Sequence, residues 1–165
     1  MFVGQKKEGE AMAERNGKEK TVVFNRRASH DYFLEDRYEC GIQLTGTEIK
    51  SIRAGKVQFK DSYISIYKGE AWIKGMHISN YSYGNIFNVD EERDRKLLLH
   101  KEEIRKIYDN IRMKGYTVVP VRMYLKSGRA KLEIALAKGK NLYDKRQSDK
   151  IRDAKREMEK ALKFH

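Results

Sequence analysis

The 165-residue sequence contains one cysteine and one proline. The single cysteine, Cys40, excludes an intramolecular disulfide and is typical of a reducing compartment. No stretch approaches the roughly 18 consecutive apolar residues of a membrane-spanning helix, and the first twenty residues lack the apolar core of a secretory signal. We therefore expect a soluble, cytoplasmic protein without a membrane-spanning segment.

The sequence also lacks the residue patterns of the common catalytic and metal sites. Its four histidines and Cys40 do not occur at C-x₂-C or H-x₃-H spacing, and it contains no P-loop, G-x-S-x-G or GxGxxG motif. The carboxylate pair Glu102–Glu103 alternates with lysine and arginine, as on a solvated helix face. We therefore predict that the protein is not an enzyme and uses no metal or cofactor. Cys40 is interpreted as a small buried apolar residue.

Positive charge is in excess, with 36 Lys and Arg against 24 Asp and Glu, a net charge of +12. Ten of the cations and five of the acids lie between residues 138 and 165. Such a balance indicates a polyanionic partner, either a nucleic acid or an anionic membrane surface.

Basic and aromatic residues are interleaved in two stretches. Arginines neutralise phosphates and aromatic rings stack on unpaired bases, so this mixture favours RNA or single-strand binding. Within the first stretch, Phe33 is expected in the core. The first stretch comprises Asn25, Arg26, Arg27, His30, Tyr32 and Phe33, and the second comprises Arg93, Arg95 and Lys96, close to Leu98 and His100.

Short alternating runs of β-branched and aromatic residues predict a strand-rich body. One or more strands are expected between Asp31 and Leu44, and two hairpins are expected to turn at residues 68–70 and 126–129. Since Pro120 cannot donate to a ladder, we expect it at a sheet edge or a bulge. Without alternating strands and helices, a small, mostly antiparallel barrel fits best.

Two helices are also predicted. The first is short, is capped by Thr45 or Thr47, and ends at Gly55. The second lies within LLLHKEEIRKIYDNIRMKGY (97–116) and ends at Gly115. Its apolar stripe comprises Ile104, Ile107, Tyr108 and Ile111. The segment between the second strand run and this helix, residues 80–96, has no sustained period and is predicted to be a long loop.

Composition divides the chain into three parts. Residues 1–20 are polar and are expected to be a disordered extension, residues 21–138 form the body, and residues 139–165 form a basic C-terminal tail. Read as a helix, the tail has a narrow apolar stripe with Ile151, Met158 and Leu162 as its large members. An isolated helix of this kind is marginal in water. Two interpretations stay open: a helix docked on the body, or a segment that folds on a polyanion.

Four segments of the chain carry a family likeness. They are GIQLTGTEIKSIRAGK (41–56), RKLLL (95–99), GYTVVP (115–120) and AKGKNLYDKR (137–146). In this order and at near-constant spacing, they resemble the small protein B (SmpB) family, the SsrA-binding proteins of bacterial trans-translation. The resemblance spans about residues 21–165.

The resemblance implies a fold and a function. The expected fold is mainly β with α: an OB-fold-like antiparallel barrel with flanking helices, and a tail that is disordered when free and helical on the ribosome. The expected protein binds the tRNA-like domain of transfer-messenger RNA (tmRNA, or SsrA RNA) and delivers it, with elongation factor Tu and GTP, to the A site of stalled ribosomes. The tail would probe the decoding centre and the empty mRNA channel, so that ribosomes are rescued and nascent chains are tagged for degradation.

The resemblance also implies two sets of RNA-contacting residues. The tmRNA set is Asn25, Arg26, Tyr32, Glu39, Leu98, His100 and Lys131. The ribosome-facing tail set is Gly139, Tyr143, Asp144, Lys145, Arg146, Lys150, Arg152, Lys155 and Arg156. Glu39 is expected to accept hydrogen bonds from a base rather than to neutralise charge. Neither a DNA contact nor a membrane partner is expected.

Two positions depart from the family pattern. His100 stands where asparagine is frequent, and its imidazole cannot reproduce the paired donor and acceptor of an amide. Tyr143 stands where histidine is frequent, and either ring can stack on a base of the decoding centre. Three other functions are considered: a general single-stranded RNA-binding chaperone with an OB-type barrel, an RNA-processing hydrolase, and a structural ribosomal protein.

Overall fold

The computed structural model describes residues 19–81 and 88–163. The strands in this part of the chain are β1 (Glu19–Phe24), β2 (Tyr32–Ile42), β3 (Val57–Gln58), β4 (Tyr63–Tyr67), β5 (Glu70–Lys74), β6 (His77–Ile78), β7 (Arg95–Leu98), β8 (Thr117–Lys126) and β9 (Arg129–Gly139). The helices are α1 (Arg26–Asp31), α2 (Gly46–Arg53), α3 (Lys101–Lys114) and α4 (Leu142–Lys163). None of these helices combines the length and hydrophobicity needed to cross a membrane.

Seven strands form one antiparallel sheet in the order β1-β8-β9-β2-β7-β5-β4, and β3 pairs with β6 in a separate small sheet. Bulges in β1, β2 and β8 interrupt the register and increase the local twist. The sheet curls until β4 approaches β8, but no ladder between described residues joins its edge strands β1 and β4. The prediction of an antiparallel, strand-rich fold is confirmed as a mixed α/β structure, whereas the described residues form no closed barrel.

Both predicted hairpins are present, and their turns explain why the sequence indicates them. Lys68 and Gly69 connect β4 to β5 with φ angles of 50° and 74°, and Ser127 and Gly128 connect β8 to β9 with φ angles of 51° and 78°. Positive φ at both central residues is the type I′ geometry that matches the twist of paired strands. Pro120 lies beside the bulge in β8, as predicted, and beyond the last residue of β8 that pairs with β1.

The two predicted helices correspond to α2 and α3, with one change of boundary. Thr45 caps α2 and forms a capping box with Glu48, while Gly115 ends α3 with a φ of 68°. However, α3 begins only at Lys101, because Leu97 and Leu98 belong to β7. A short apolar run fits a strand or a helix equally well, and here β7 pairs with both β2 and β5.

The elements that were not predicted as such include α1 and β1. The helix α1 is only six residues long, and Asn25 caps it by accepting a hydrogen bond from the Ala28 amide. The strand β1 starts at Glu19 and pairs with the end of β8, so the expected disordered extension of residues 1–20 is wrong for its last two residues. Residues 1–18 lie outside the described part of the chain, as do residues 82–87 of the predicted loop.

One core joins the concave face of the sheet to α2 and α3. The buried Ile107 of α3 belongs to this core together with residues of β5, β7, β8 and β9. The fully buried members of the core include Ile52, Ile73, Met76, Leu97, Ile107, Met123, Leu132, Ile134 and Leu136. The opposite face of the sheet carries a smaller cluster under α1, formed by Ala28, Val119 and Ala137. The remaining outer face is left for polar and charged side chains.

Candidate nucleic-acid interface

Four of the seven predicted tmRNA residues line one surface groove: Glu39, Leu98, His100 and Lys131. They come from β2, β7, the N-cap of α3 and β9. Gly41 of β2 pairs with Leu98 on one side and with Lys131 on the other. Since directly opposed residues of a sheet share a face, this register places the leucine and the lysine on either side of a position with no side chain.

Leu98 forms an exposed apolar platform in the groove. It is 51% exposed, although most large apolar residues of this sheet are buried. A Cβ at Gly41 would lie 3.3 Å from both Cβ and Cδ1 of Leu98, so the glycine lets the leucine lie flat against the backbone of β2. An apolar surface between polar groups suits contact with a nucleotide base or sugar.

Glu39 is held in a defined orientation beside this platform. Its carboxylate accepts a hydrogen bond from the Tyr124 hydroxyl and pairs with Lys126 Nζ at 3.3 Å. Burial would raise the pKa of Glu39, but the hydrogen bonds from Tyr124 and Lys126 outweigh it and lower this pKa. The carboxylate is therefore ionised and remains an acceptor, with lone pairs left for a further donor.

The other three predicted tmRNA residues lie around α1, at the opposite end of β2. Seven residue steps along β2 lead from Tyr32 to Glu39, a distance of roughly 20 Å. Asn25 uses both ends of its amide internally, since Nδ2 donates to the Pro120 carbonyl at 2.8 Å and Oδ1 accepts from the Ala28 amide at 3.3 Å. Tyr32 lines a separate pocket with Asn25 and Arg27, and Arg26 is exposed. The structure thus divides the predicted set between two sites.

The tail is helical and is anchored at its base. The helix α4 contacts α1: Lys145 Nζ lies 3.5 Å from Asp31, and His30 Nε2 lies 3.1 Å from Asp149. Lys140 adds hydrogen bonds to the Ser29 carbonyl at 3.0 Å and to Ser148 Oγ at 2.6 Å. The expectation of a tail that is disordered when free is therefore not met by this structure. The docked alternative applies to the first two turns.

Beyond these turns α4 projects from the body, because every residue from Lys150 to Leu162 is exposed. This part includes the large members of the apolar stripe: Ile151, Met158 and Leu162, at 69%, 68% and 76% exposure. Six of the nine predicted ribosome-facing residues are exposed and charged or aromatic: Tyr143, Arg146, Lys150, Arg152, Lys155 and Arg156. Gly139 is also exposed, whereas Asp144 and Lys145 are half-buried.

The comparisons with known proteins agree with this geometry. The model of the family described as SmpB protein matches residues 22–164, which is most of the chain. The chain belongs to the SmpB protein family.

Individual SmpB relatives are similar over nearly their whole length. An SsrA-binding protein of Acetivibrio thermocellus is 56% identical over 144 residues, covering 87% of this chain and 94% of that protein. One from Clostridium acetobutylicum is 52% identical, covering 92% and 98%. A solved chain described as "tmRNA-SmpB: a journey to the center of the bacterial ribosome" is 45% identical, with a TM-score of 0.62, and the match covers 73% of this chain and 85% of that chain.

One basic residue of the SmpB motif RKLLL has a different place from the one predicted. The sequence groups Arg95 with Arg93 and Lys96 as RNA-binding charge near Leu98 and His100, but Arg95 is fully buried and its Nε donates to Glu48 at 2.6 Å. Arg93 also bonds to Glu48. Lys96 is the member of this group that lines the groove, and it pairs with Glu70 at 3.2 Å. Alternation along a short strand turns Arg95 inward and Lys96 outward.

Phe33 and Cys40 show how far single residues can be placed from composition. The prediction that Phe33 is in the core is wrong, because it is 47% exposed and Lys140 Nζ lies 5.1 Å from its ring centre. The prediction for Cys40 is confirmed, because it is 2% exposed and burial raises its pKa to about 12. Such a thiol is neutral and unreactive. Among the described residues, no group of three or more potential ligands is arranged to bind a metal.

His30 was predicted only as part of the basic and aromatic stretch, and the structure places it in the contact between α1 and α4. Its Nδ1 lies 2.9 Å from Asp31 and its Nε2 lies 3.1 Å from Asp149. The hydrogen bonds to Asp31 and Asp149 raise the pKa of His30. No local pattern indicates this site, since its partners are one and 119 residues away.

Proposed function

We infer that this chain is an SsrA-binding protein that acts in tmRNA-mediated trans-translation. Membership of the SmpB family supports this function directly, and the family is one of RNA-binding proteins without enzymatic activity. The single structural observation that supports it best is the exposed Leu98 platform, enclosed by Glu39, His100 and Lys131 in one groove. If Leu98 were buried, or if no polar residues lined the same groove, the structure would give no reason to place RNA there.

In the proposed complex, the groove binds the tRNA-like domain of tmRNA through three kinds of contact. Leu98 packs against an unpaired base or its ribose. The ionised Glu39 accepts a hydrogen bond from a base amino or imino group, which discriminates between bases. Lys131 and His100 contact phosphate or sugar oxygens, which contribute affinity rather than base discrimination.

The residues around α1 have a supporting place in this proposal. Arg26 and Tyr32 contact a second part of the same RNA, whereas Asn25 acts indirectly by capping α1 and tying it to β8. The curled sheet is assigned to the OB-fold type, in which a sheet face binds oligonucleotides. The proposed division of the chain is an N-terminal extension, an RNA-binding body through residue 138, and a basic tail from residue 139.

The tail is proposed to act on the ribosome. Tyr143 stacks on a base of the decoding centre, and the cations of α4 follow ribosomal RNA phosphates along the empty mRNA channel. A message already in the channel would block this binding by occupying the same space. The body meanwhile holds the tmRNA, which is delivered to the A site with elongation factor Tu and GTP. Because tmRNA and ribosomes are cytoplasmic, the protein is proposed to act there.

The test compares the full-length protein with a version that ends at Lys140, in two assays. The first measures binding to tmRNA against an unrelated structured RNA of equal length, and the second measures tagging of nascent chains on ribosomes stalled by a truncated message. We expect both proteins to bind tmRNA selectively and only the full-length protein to support tagging. Equal binding of both RNAs, with tagging independent of the tail, would indicate a general RNA-binding chaperone instead.

A further inference from the structure

A second cleft opens between the tip of the β4–β5 hairpin and the first turns of α3. We call it the hairpin–helix cleft, and its lining includes Ile66, Lys68, Lys101, Ile104, Arg105 and Tyr108. It contains three cations and no carboxylate. Its floor is apolar, formed by the half-buried Ile66 and Ile104, and Tyr108 is 43% exposed at its edge.

The cleft is continuous with the groove that contains Leu98. Lys68, Lys101 and Ile104 line both. A strand of nucleic acid that leaves the Leu98 platform toward α3 therefore meets these lysines next. The groove also contains carboxylates at Glu39, Glu70 and Glu103, whereas the lining of the cleft contains cations and no carboxylate.

The three cations of the cleft carry like charges and are not paired with a carboxylate among the described residues. Neither Lys101 nor Arg105 nor Lys68 forms an ion pair with the described residues; Lys68 lies only over the ring of Tyr67, at 5.4 Å. Lys101 and Arg105 are four residues apart on one helix face, where like charges destabilise a helix. Lys101 also lies in the first turn of α3, where the helix dipole disfavours a cation. By contrast, the nearby Lys96 is paired with Glu70.

We propose that the hairpin–helix cleft binds the phosphate backbone of RNA that continues from the Leu98 platform. The proposal rests on the function proposed above and adds Lys68, Lys101 and Arg105 to the RNA-contacting residues of this chain. Each cation neutralises a backbone phosphate, and the apolar floor with Tyr108 contacts the attached sugars or bases. The contribution is independent of base sequence, since phosphates carry no sequence information.

The first test measures the salt dependence of RNA binding. The double variant Lys101→Ala/Arg105→Ala is compared with Lys106→Ala/Arg112→Ala, which removes the same two charge types from α3 outside the cleft. Binding of the tRNA-like domain of tmRNA is followed by fluorescence anisotropy between about 50 and 200 mM salt. We expect the slope of log Kobs against log salt to fall by roughly 1.4–1.8 in the cleft variant, so that its affinity deficit shrinks about tenfold over this range. The control variant should keep the original slope.

The second test locates the RNA backbone directly. Because Cys40 is buried with a raised pKa, an introduced cysteine is the only reactive thiol among the described residues. Lys101→Cys and Lys106→Cys are each coupled to an iron chelate that generates hydroxyl radicals. We expect cleavage of a short run of the bound RNA from position 101 and none from position 106. Equal cleavage from both positions, or none from position 101, overturns the proposal.

The outcomes separate this inference from the function on which it rests. If Leu98→Ala lowers RNA affinity while the cleft variant behaves like its control, the groove binds RNA and the cleft does not. The cleft would then serve another anionic partner, such as an acidic protein segment, and the inference fails. If the unaltered chain does not prefer the tRNA-like domain to an unrelated RNA, the proposed function fails instead.

Discussion

The buried ion pair between Glu48 and Arg95 joins α2 to β7 and supports the strongest stability prediction. Arg95 is fully buried and Glu48 is 4% exposed. Besides Glu48, Arg95 donates to the carbonyls of Met76, Arg93 and Glu91, at 2.8, 3.1 and 3.0 Å. A single guanidinium therefore holds a helix, a strand and the preceding loop together.

Replacing Arg95 by methionine keeps most of the side-chain volume but leaves the Glu48 carboxylate buried. Removing one partner of a buried ion pair costs about 3–5 kcal/mol. Glu48 keeps its hydrogen bonds from Arg93 and from the Thr45 amide, so we expect a loss in the lower half of that range, about 3–4 kcal/mol. At this chain length, such a loss lowers Tm by roughly 6–16 °C.

The assay is urea and thermal unfolding followed by fluorescence of Trp72, the single tryptophan. Arg95→Met is compared with Lys96→Met, which removes a more exposed lysine from the next position and should cost less than about 1 kcal/mol. The double variant Glu48→Gln/Arg95→Met should recover part of the loss, because it no longer buries an unpaired charge. If Arg95→Met unfolds like the unaltered protein but loses RNA affinity, Arg95 is an RNA contact and the burial argument is refuted.

The same pair predicts a pH dependence. Burial raises the pKa of Glu48, but the hydrogen bonds from Arg93, Thr45 and Arg95 together lower it below its ordinary value of 4.5. A lowered folded-state pKa contributes stability that is present above pH 4.5 and is lost as the pH falls through the folded pKa. Arg95→Met should show a smaller loss of stability on acidification. A loss as large as that of the unaltered protein would contradict this assignment.

Three further predictions concern the tail and the groove. The pKa of His30 is raised above 6.5, so its contact with Asp149 should be strongest below pH 6.5 and weaken as the pH rises through the folded pKa. The fluorescence anisotropy of a dye near the end of α4 should fall over the same pH range. Asp149→Asn should remove most of this fall in anisotropy. Gly41→Ala should lower tmRNA affinity about fivefold by displacing the platform leucine, whereas Gly46→Ala, which meets nothing within 4 Å, should not. Alanine at residues 144–146 should leave tmRNA affinity within threefold, measured by anisotropy, but abolish tagging on stalled ribosomes.

Each of these three has a contrary result. An anisotropy that does not change with pH would mean that His30 does not hold α4. Equal RNA affinities of Gly41→Ala and Gly46→Ala would remove the leucine platform from the interface. A large loss of tmRNA affinity in the variant of residues 144–146 would contradict the division of work between body and tail.

The local features of this protein were predictable from the sequence because they depend on neighbouring residues. The turn at Lys68-Gly69 and the capping box of Thr45 with Glu48 involve groups within a few positions of one another. The end of α3 at Gly115 follows from one residue with a positive φ. The four family segments likewise are read along the chain, so the order of residues is enough to indicate family and function.

The placement of individual side chains was decided by strand pairing and burial. The run RKLLL contains an arginine, a lysine and three leucines, and only the pairing of β7 with β2 and β5 turns Arg95 into the core and exposes Leu98. Phe33 has an apolar side chain typical of a core, but it lies near the start of β2 and is exposed.

The sequence by itself thus determined the family, the hairpins and the main helices, since these follow from local conformational preferences and ordered motifs. The tertiary structure alone brought Glu39, Leu98, His100 and Lys131 into one groove. It also gathered Lys68, Lys101 and Arg105 in a cleft beside that groove and placed His30 next to Asp149. Contacts of this kind depend on register and on chain segments far apart in sequence, and no local pattern encodes them.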